Sequence, residues 1–449
     1  MNSKAIRRVS WPLSIFRTRA SGRRLLSIDT GYSMEMIWDR KMEHEITCRD
    51  LDGFFDHVWN VHPAVGASTE HSPATAVGSP ITFQITPRHT VIEGKVAQFK
   101  WLTSCPRLNF AISQTVLVLR LLRLICAEDI TIIRVSDPFY TGILGLLLAR
   151  ATRVPLVIRV NANEDYMYES TGEVAFPRAL PSRALEQRVS RFLLKRADLV
   201  AAGNENNRQF ALANGAPPEM STLFRCGTWV DSLHFGNDPG QRPSVRSDVG
   251  LGDRPFIILV SRLEPVKHPD DVLRVLARCK AKIPDLAAVF VGDGTMRGEL
   301  EAAAADMGLT DDVRFTGYRD QGWISGALSC ASVVLSPLTG RALVEACLSG
   351  TPVVAYDVEW HSELVTTGDT GILVPYRDIV AMADAVMSLI ADPTFSMALG
   401  RKARSVTLEM MDPPRLMEHE RSEYVELLRR KGHPLLLPEP RSGSIIAST

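Results

Sequence analysis

A chain of 449 residues is too long for one hydrophobic core and fits two domains of ordinary size. Its 45% hydrophobic and 23% charged residues exclude a largely disordered chain, and a formal net charge of zero excludes broad electrostatic binding of nucleic acid. Seven scattered cysteines, with no Cys-x-x-Cys pair and no close histidine cluster, read as reduced thiols of a cytosolic protein and provide no structural zinc site.

The first 24 residues carry Lys4, Arg7, Arg8, Arg17, Arg19, Arg23 and Arg24 and no acidic residue. Their apolar pieces are too short for a signal-peptide core, so they read as a mobile basic tail, either touching anionic lipid or touching nothing. A strand is expected over 25–29, followed by the small-residue loop 30–32 around Gly31. Residues 65–80 are small and polar and read as a flexible loop. The apolar helix 115–126 is interrupted by Arg120 and Arg123 and is short of a membrane span. Three positions apart, these arginines share a face, so the helix lies either on a sheet or along a membrane surface. Further strands are expected over 129–135, 155–160, 199–202 and 222–225. Segments 137–142 and 159–165 leave strand ends, while Asn204 opens a helix as an N-cap. Residues 228–254, rich in Gly, Asp, Ser and Pro, form the natural interdomain linker. Strands over 256–261, 287–291, 313–316, 333–336, 352–356 and 371–374 fill the second half. Strand-helix alternation throughout predicts an α/β chain with parallel sheets and crossover helices.

Three places in the second half carry chemistry. The apolar run 255–263 reads as a fully buried parallel strand that emits Arg262 at its C-terminal end, with Lys267 just beyond and Pro269 opening a helix. Ligands of open α/β sheets sit at that edge, where an Arg and a Lys can converge on a diphosphate; read in isolation, they are solvated charges. After the strand 287–291, Gly292 and Gly294 either allow close backbone approach to a ligand or turn the chain, and Gly317 with Tyr318 follow the next strand. The segment 336–357 joins a small-residue loop containing Thr339 to a helix opening after Gly340 at Arg341 and closing at Gly350. Its free N–H groups can face an anion while Glu345, one turn further in, can accept from ribose hydroxyls. An ordinary helix-to-strand connection with a solvated Glu345 is the other reading.

This last segment resembles the signature of retaining glycosyltransferases of the two-domain GT-B architecture (glycosyltransferase family 4, or group 1), Glu-x-Phe-Gly-x-x-x-x-Glu-Ala followed by Gly-x-Pro-Val-Val-Ala. Gly340, Glu345, Ala346, Gly350, Pro352, Val353, Val354 and Ala355 fall in register; Pro337 stands for the first glutamate and Thr339 for the phenylalanine. The resemblance implies two Rossmann-like domains facing across a cleft. It places a tail over 1–24, an acceptor domain over 25–235, a nucleotide-sugar domain over 236–405, a helix over 406–432 returning to the first domain, and a flexible tail over 433–449. It assigns catalysis to Arg262, Lys267 and Glu345, with the cations neutralising the leaving diphosphate. Donor contacts go to Gly31, Gly292, Gly294, Gly317, Tyr318, Thr339, Gly340 and Arg341. The sugar or acceptor side goes to Asn161 and Asn163, where many members have a histidine, and to Glu359. With no side-chain acceptor at Pro337, sugar recognition moves to Thr339, the N–H groups of 338–341, or Glu359 or Glu363.

The implied activity is transfer, with retention, from a UDP- or GDP-sugar to a glycan, lipid-linked or small-molecule acceptor. It needs no further cofactor, no metal and no nucleic acid, and belongs to polysaccharide or glycolipid biosynthesis in the cytoplasm, peripheral to the inner face of the membrane. Two other readings stand beside it. One is an inactive GT-B nucleotide-sugar-binding scaffold, motivated by Pro337. The other is a dinucleotide-dependent oxidoreductase, argued from Gly292, Gly294 and Gly298, although Asp311 and Asp312 precede the next strand where an acidic residue should end it.

Overall fold

A computed structural model describes residues 22–39, 42–65, 76–177, 179–236 and 242–432. The basic segment up to residue 21, most of the loop expected over 65–80 and the tail from 433 lie outside the described residues.

The first sheet has eight strands: β1 (Arg24–Ile28), β2 (His57–Val65), β3 (Ile81–Thr86), β4 (His89–Lys95), β5 (Ile132–Val135), β6 (Leu156–Val160), β7 (Leu199–Ala202) and β8 (Ser221–Leu223). Their order is β3-β4-β2-β1-β5-β6-β7-β8, parallel except for the β3–β4 hairpin. The second sheet has β9 (Phe256–Val260), β10 (Ala287–Val291), β11 (Val313–Phe315), β12 (Val333–Ser336), β13 (Val353–Tyr356) and β14 (Ile372–Val374), all parallel in the order β11-β10-β9-β12-β13-β14. Parallel strands need crossover helices on both faces, so they are buried on both sides and read as continuous apolar runs. β9, Phe-Ile-Ile-Leu-Val, is the clearest case: Ile257 and Leu259 join one core layer, Phe256 and Ile258 the other.

β2, β3 and β4 carry no such run, and hydrophobic periodicity does not reveal them. β2 buries Asn60 and His62 and contains Pro63, while β4 buries Glu93 and Lys95 as a pair 3.7 Å apart. Polar residues paired inside the fold look like surface residues in the sequence. Residues 228–254 are also not simply a linker. They contain the helix Arg242–Val249, which sends Val245 and Val249 into the second core and is held by Trp323 Nε1 donating to Asp248 at 3.0 Å.

The helix expected over 115–126 runs over Pro106–Ala127. Among the described residues it alone is long and apolar enough by itself to cross a membrane, yet Leu117, Leu121, Leu124 and Ile125 seat it on the first sheet. Arg120 and Arg123 do not share a role: Arg120 donates inward to Pro80 O and Thr82 Oγ1, both at 2.7 Å, and Arg123 is exposed.

The helix Pro413–Arg430 follows the second domain but closes the opposite face of the first sheet. Tyr424, Leu427 and Leu428 pack with Leu25, Val58, Ile132 and Leu199. Beneath them Arg134 donates to Glu420 at 3.0 Å and to Tyr424 Oη at 3.3 Å, and Tyr424 donates to the same carboxylate at 2.9 Å. Such a buried charge is tolerated because each partner satisfies the next. Arg159, expected among the cleft residues, belongs here instead. It donates to Phe224 O at 2.8 Å and stacks over Trp229, because successive residues of β6 point to opposite faces of the sheet.

Candidate active site

The C-terminal strand edges of the two sheets face each other across a cavity of about 580 Å³. On the second-domain wall β9 ends at Val260 and releases Ser261, Arg262 and, after a turn, Lys267. Pro269 then starts the helix Pro269–Lys280. Lys267 has its pKa lowered, first by burial and further by Arg262, while Glu359 acts in the opposite sense. A second negative group arriving there would push its pKa back up, as a phosphate does.

The helix Arg341–Leu348 begins after Gly340, and its start, with Thr339, Gly340, Arg341 and Ala342, lines the cavity, which puts the unpaired N–H groups of a helix N-terminus beside it. Glu345, one turn in, also lines the cavity and is only 3% exposed, so it is not a solvated face residue. Its Oε1 accepts from Arg341 Nε at 3.0 Å, and Arg341 also pairs with Glu45 of the first domain. Thr339 is buried with its hydroxyl unpartnered, beside the place where an anion would meet the helix end.

His361, which no motif in the sequence marks, shapes this loop. It is fully buried, with Nδ1 3.0 Å from Tyr356 O and Nε2 3.0 Å from Thr339 O. Burial lowers its pKa against the pull of the neighbouring backbone, and a neutral ring carries one N–H: Nδ1 donates to Tyr356 O while Nε2 accepts from Thr339 N at 3.4 Å, which clamps the loop. Between the two, Val358 and Trp360 are drawn into separate cores and Glu359 is left at φ 49°, a left-handed conformation uncommon outside glycine. Glu359 does not line the cavity itself but faces Lys267, with a pKa raised by burial and restrained by that lysine.

The first-domain wall comes from the loop after β1 and from β6. Asp29 Oδ1 accepts from Gly31 N at 2.8 Å and Oδ2 pairs with Arg49 at 2.8 Å. Burial would raise the Asp29 pKa, but Arg49 and the Gly31 N–H outweigh it and keep the carboxylate charged. Asn161 lines the cavity and donates to Ser136 O at 3.2 Å. Nearby, Glu164 is pushed up to about 7, first by burial and then by Glu186 and Asp137; Asp137 is pushed up to about 6 by burial, against three hydrogen-bonding neighbours.

Of the residues expected at the site, Gly31, Asn161, Arg262, Lys267, Gly292, Tyr318, Thr339, Gly340, Arg341 and Glu345 line this one cavity. Three others serve the fold. A Cβ on Gly294 would lie 2.4 Å from Leu263 O, so that glycine lets two strand-end loops touch. Gly317 accepts from Gly292 N at 3.0 Å, and Asn163 caps the helix Glu164–Thr171 by accepting from Tyr166 N at 3.3 Å. Gly292 does both jobs: it lines the cavity, and at φ 130° a Cβ would sit 2.0 Å from Ser261 O. Glu363 is spent on Arg225 at 2.6 Å and on Glu205 N at 2.8 Å, which removes it as a sugar ligand. Tyr32, in the expected loop 30–32, lines the cavity as well, and so do Glu45, Arg49, Trp229 and Arg319, which sequence reasoning does not select. They sit in short helical turns or loops without a motif and meet the site only through the fold.

Residues 241–406, which hold every second-domain element of this wall, match the family model described as Glycosyl transferases group 1. They form a group 1 glycosyl transferase domain. Over 237 residues the chain is 32% identical to the GDP-mannose-dependent alpha-(1-6)-phosphatidylinositol monomannoside mannosyltransferase of Mycolicibacterium smegmatis, covering 49% of this chain and 61% of that protein. Over 284 residues it is 30% identical to the D-inositol 3-phosphate glycosyltransferase of Kribbella flavida, covering 60% and 65%. The chain therefore spans less than two thirds of the length of these relatives. The whole arrangement superposes on Anabaena HepE in complex with UDP and glucose with a TM-score of 0.68 at 19% identity, covering 89% of this chain and 98% of that one. Sucrose-phosphate synthase from Thermosynechococcus elongatus superposes with a TM-score of 0.70 at 19% identity, covering 91% and 100%. The group 1 domain and its partner sheet thus have the GT-B fold.

Proposed function

We propose that this protein transfers a sugar from a UDP- or GDP-sugar to a glycan, lipid-linked or small-molecule acceptor, with retention of the anomeric configuration. The observation that carries the reading is the convergence of Arg262, Lys267, the N-terminal end of the helix Arg341–Leu348 and the buried Glu345 on one cavity. Relatives named for GDP-mannose and a structural neighbour holding UDP support a nucleoside diphosphate as the common donor element.

Cleavage at the anomeric carbon builds negative charge on the leaving diphosphate. Fixed cations and helix N–H groups stabilise that charge more in the transition state than in the bound substrate. Arg262 offers a planar fork and Lys267 a point charge, while Glu345 accepts from the ribose. The leaving phosphate oxygen takes the acceptor's proton on the same face, which gives retention without a strong protein base. Arg262, Lys267 and Glu345 are the catalytic residues of this proposal; Gly31, Gly292, Tyr318, Thr339, Gly340 and Arg341 hold the donor, with no further cofactor or metal. Asn161 stands on the acceptor side. The unpartnered Thr339 hydroxyl supplies the sugar recognition that a proline at 337 cannot, with Glu359 acting through Lys267. The protein works in the cytoplasm, peripheral to the inner face of a membrane.

Pro337, buried after β12, keeps a second reading in play: a nucleotide-sugar-binding scaffold without turnover. Radiolabelled UDP- and GDP-sugars incubated with lipid and glycan extracts separate the two. Transfer from either donor supports the transferase, and donor binding with neither transfer nor hydrolysis supports the scaffold. Stabilisation by NAD instead of UDP or GDP in a thermal-shift screen overturns both.

A further inference from the structure

Three helices lie side by side on one face of the first sheet: Pro106–Ala127, Tyr140–Thr152 and Arg183–Leu194. Their inner residues, among them Leu117, Leu121, Leu144, Leu148 and Leu193, build the core. Their outer side carries a group of exposed apolar side chains. Trp101, in the turn before the first helix, is 75% exposed, and Leu108, Leu119, Leu147 and Phe192 are each about half exposed. Scattered exposed leucines are ordinary in a soluble protein, but a run of them across three adjacent helices is not.

The charge is segregated as well. Residues 99–127 and 140–153 contain no Asp or Glu, and 183–196 contain only Glu186, which is buried and paired with Arg183. Against that stand exposed Arg107, Arg123, Arg150, Arg188, Arg191 and Lys195. In a chain of zero net charge, this gives one face of apolar side chains set among cations with no exposed carboxylate in the three stretches. A negatively charged protein partner would match the cations but would not require the half-exposed leucines and tryptophan. A bilayer with anionic headgroups matches both, since apolar tips enter the acyl boundary while Arg and Lys stay at headgroup level.

We propose that this three-helix face seats the protein on a membrane surface containing anionic lipid, which deepens the peripheral placement proposed above and rests on it. The topology sets the orientation. β4 and β5 run parallel to β1 in their sheet, so the turns leading into Pro106–Ala127 and Tyr140–Thr152 lie at the same sheet edge as Gly31 and Asn161. Trp101 and Leu108 therefore stand at the rim shared with the cleft, and a bilayer on this face brings an acceptor anchored in it to the acceptor side of the cavity. The long apolar helix acts lying down, as part of a docking face, and does not span.

The test is sedimentation of the full chain with vesicles of phosphatidylcholine alone or mixed with phosphatidylglycerol. The expected result is binding to the mixed vesicles only, weakened by salt, and reduced by about fivefold or more in each of Arg188→Glu and Arg191→Glu. Trp101→Ser and Leu147→Ser reduce it too, while all four variants keep the parent's melting temperature and its stabilisation by UDP or GDP. The proposal is overturned if the parent binds no vesicle, or if Arg7→Glu with Arg8→Glu abolishes binding that the face variants retain. It is equally overturned if sedimentation velocity shows that the face instead joins two copies of the chain and the same variants separate them. Loss of vesicle binding with nucleotide binding intact removes only this surface; failure to bind any nucleoside diphosphate removes only the transferase reading.

Discussion

Glu45 in the first domain forms an ion pair across the cleft with Arg341 in the second, and the same guanidinium donates through Nε to Glu345 at 3.0 Å. One cation at the opening of the donor helix therefore serves two carboxylates, one from each wall. A diphosphate arriving at that helix end meets Arg341 already engaged and two negative charges nearby. Glu45→Gln is expected to tighten binding of UDP or GDP by roughly fivefold, about 1 kcal/mol, because it frees Arg341 and removes a repelling charge. Isothermal titration measures this directly; weaker binding in the variant would mean that the ligand itself uses Glu45.

Arg262→Ala and Lys267→Ala are each expected to weaken nucleoside diphosphate binding by about 1.5–3 kcal/mol, the cost of one charge-assisted contact. Neither side chain belongs to the core, so the melting temperature of the free protein should hardly move. Equal affinity in variant and parent would sink the phosphate role of that residue.

Glu345→Gln replaces a carboxylate able to accept two ribose hydroxyls with a group that has one acceptor oxygen and an added donor. The variant should lose most of its preference for UDP or GDP over the 2′,3′-dideoxy analogues. That comparison separates the ribose role from the support Glu345 lends to Arg341, which would weaken both ligands alike.

The raised pKa of Glu164 gives a stability prediction. In the folded chain it holds its proton up to about 7, against an ordinary 4.5, so the folded state binds more protons than the unfolded state between those values. Stability from this group is therefore greatest at the acid end of that window and falls as pH rises through it. Glu164→Gln keeps the neutral shape at every pH, and the drop in melting temperature between about pH 5 and about pH 8 should shrink in the variant. An unchanged drop would show that Glu164 is not the group responsible.

Much of the second domain was legible because its strands are uniform apolar runs and its ligand-facing residues follow strand ends at short range. Arg262, Lys267, Gly340 and Glu345 could be found that way, and the structure brings them to one cavity. The first domain hid more. β2 and β4 carry Asn60, His62, Glu93 and Lys95 inward, so their pattern imitates a surface. Glu45 reaches the cavity from the helix His44–Thr47, four residues long and too short to leave a periodic pattern. His361 acts through the backbone of Tyr356 and Thr339, a partnership that only the folded loop creates.

The helix Pro413–Arg430 has a consequence for how the chain is made. It supplies Tyr424, Leu427 and Leu428 to the apolar face formed by Leu25, Val58, Ile132 and Leu199, and Glu420 to the buried Arg134. Domains emerging from a ribosome ordinarily fold in order, the first before the second is finished. Here the first sheet keeps one apolar side, and Arg134 and Arg159 without their shared carboxylate, until the entire second domain has been synthesised, so the nascent polypeptide must shelter that side or have it sheltered for much of translation. A stop codon just after residue 412 would leave the cavity-lining residues encoded and still yield an aggregating product.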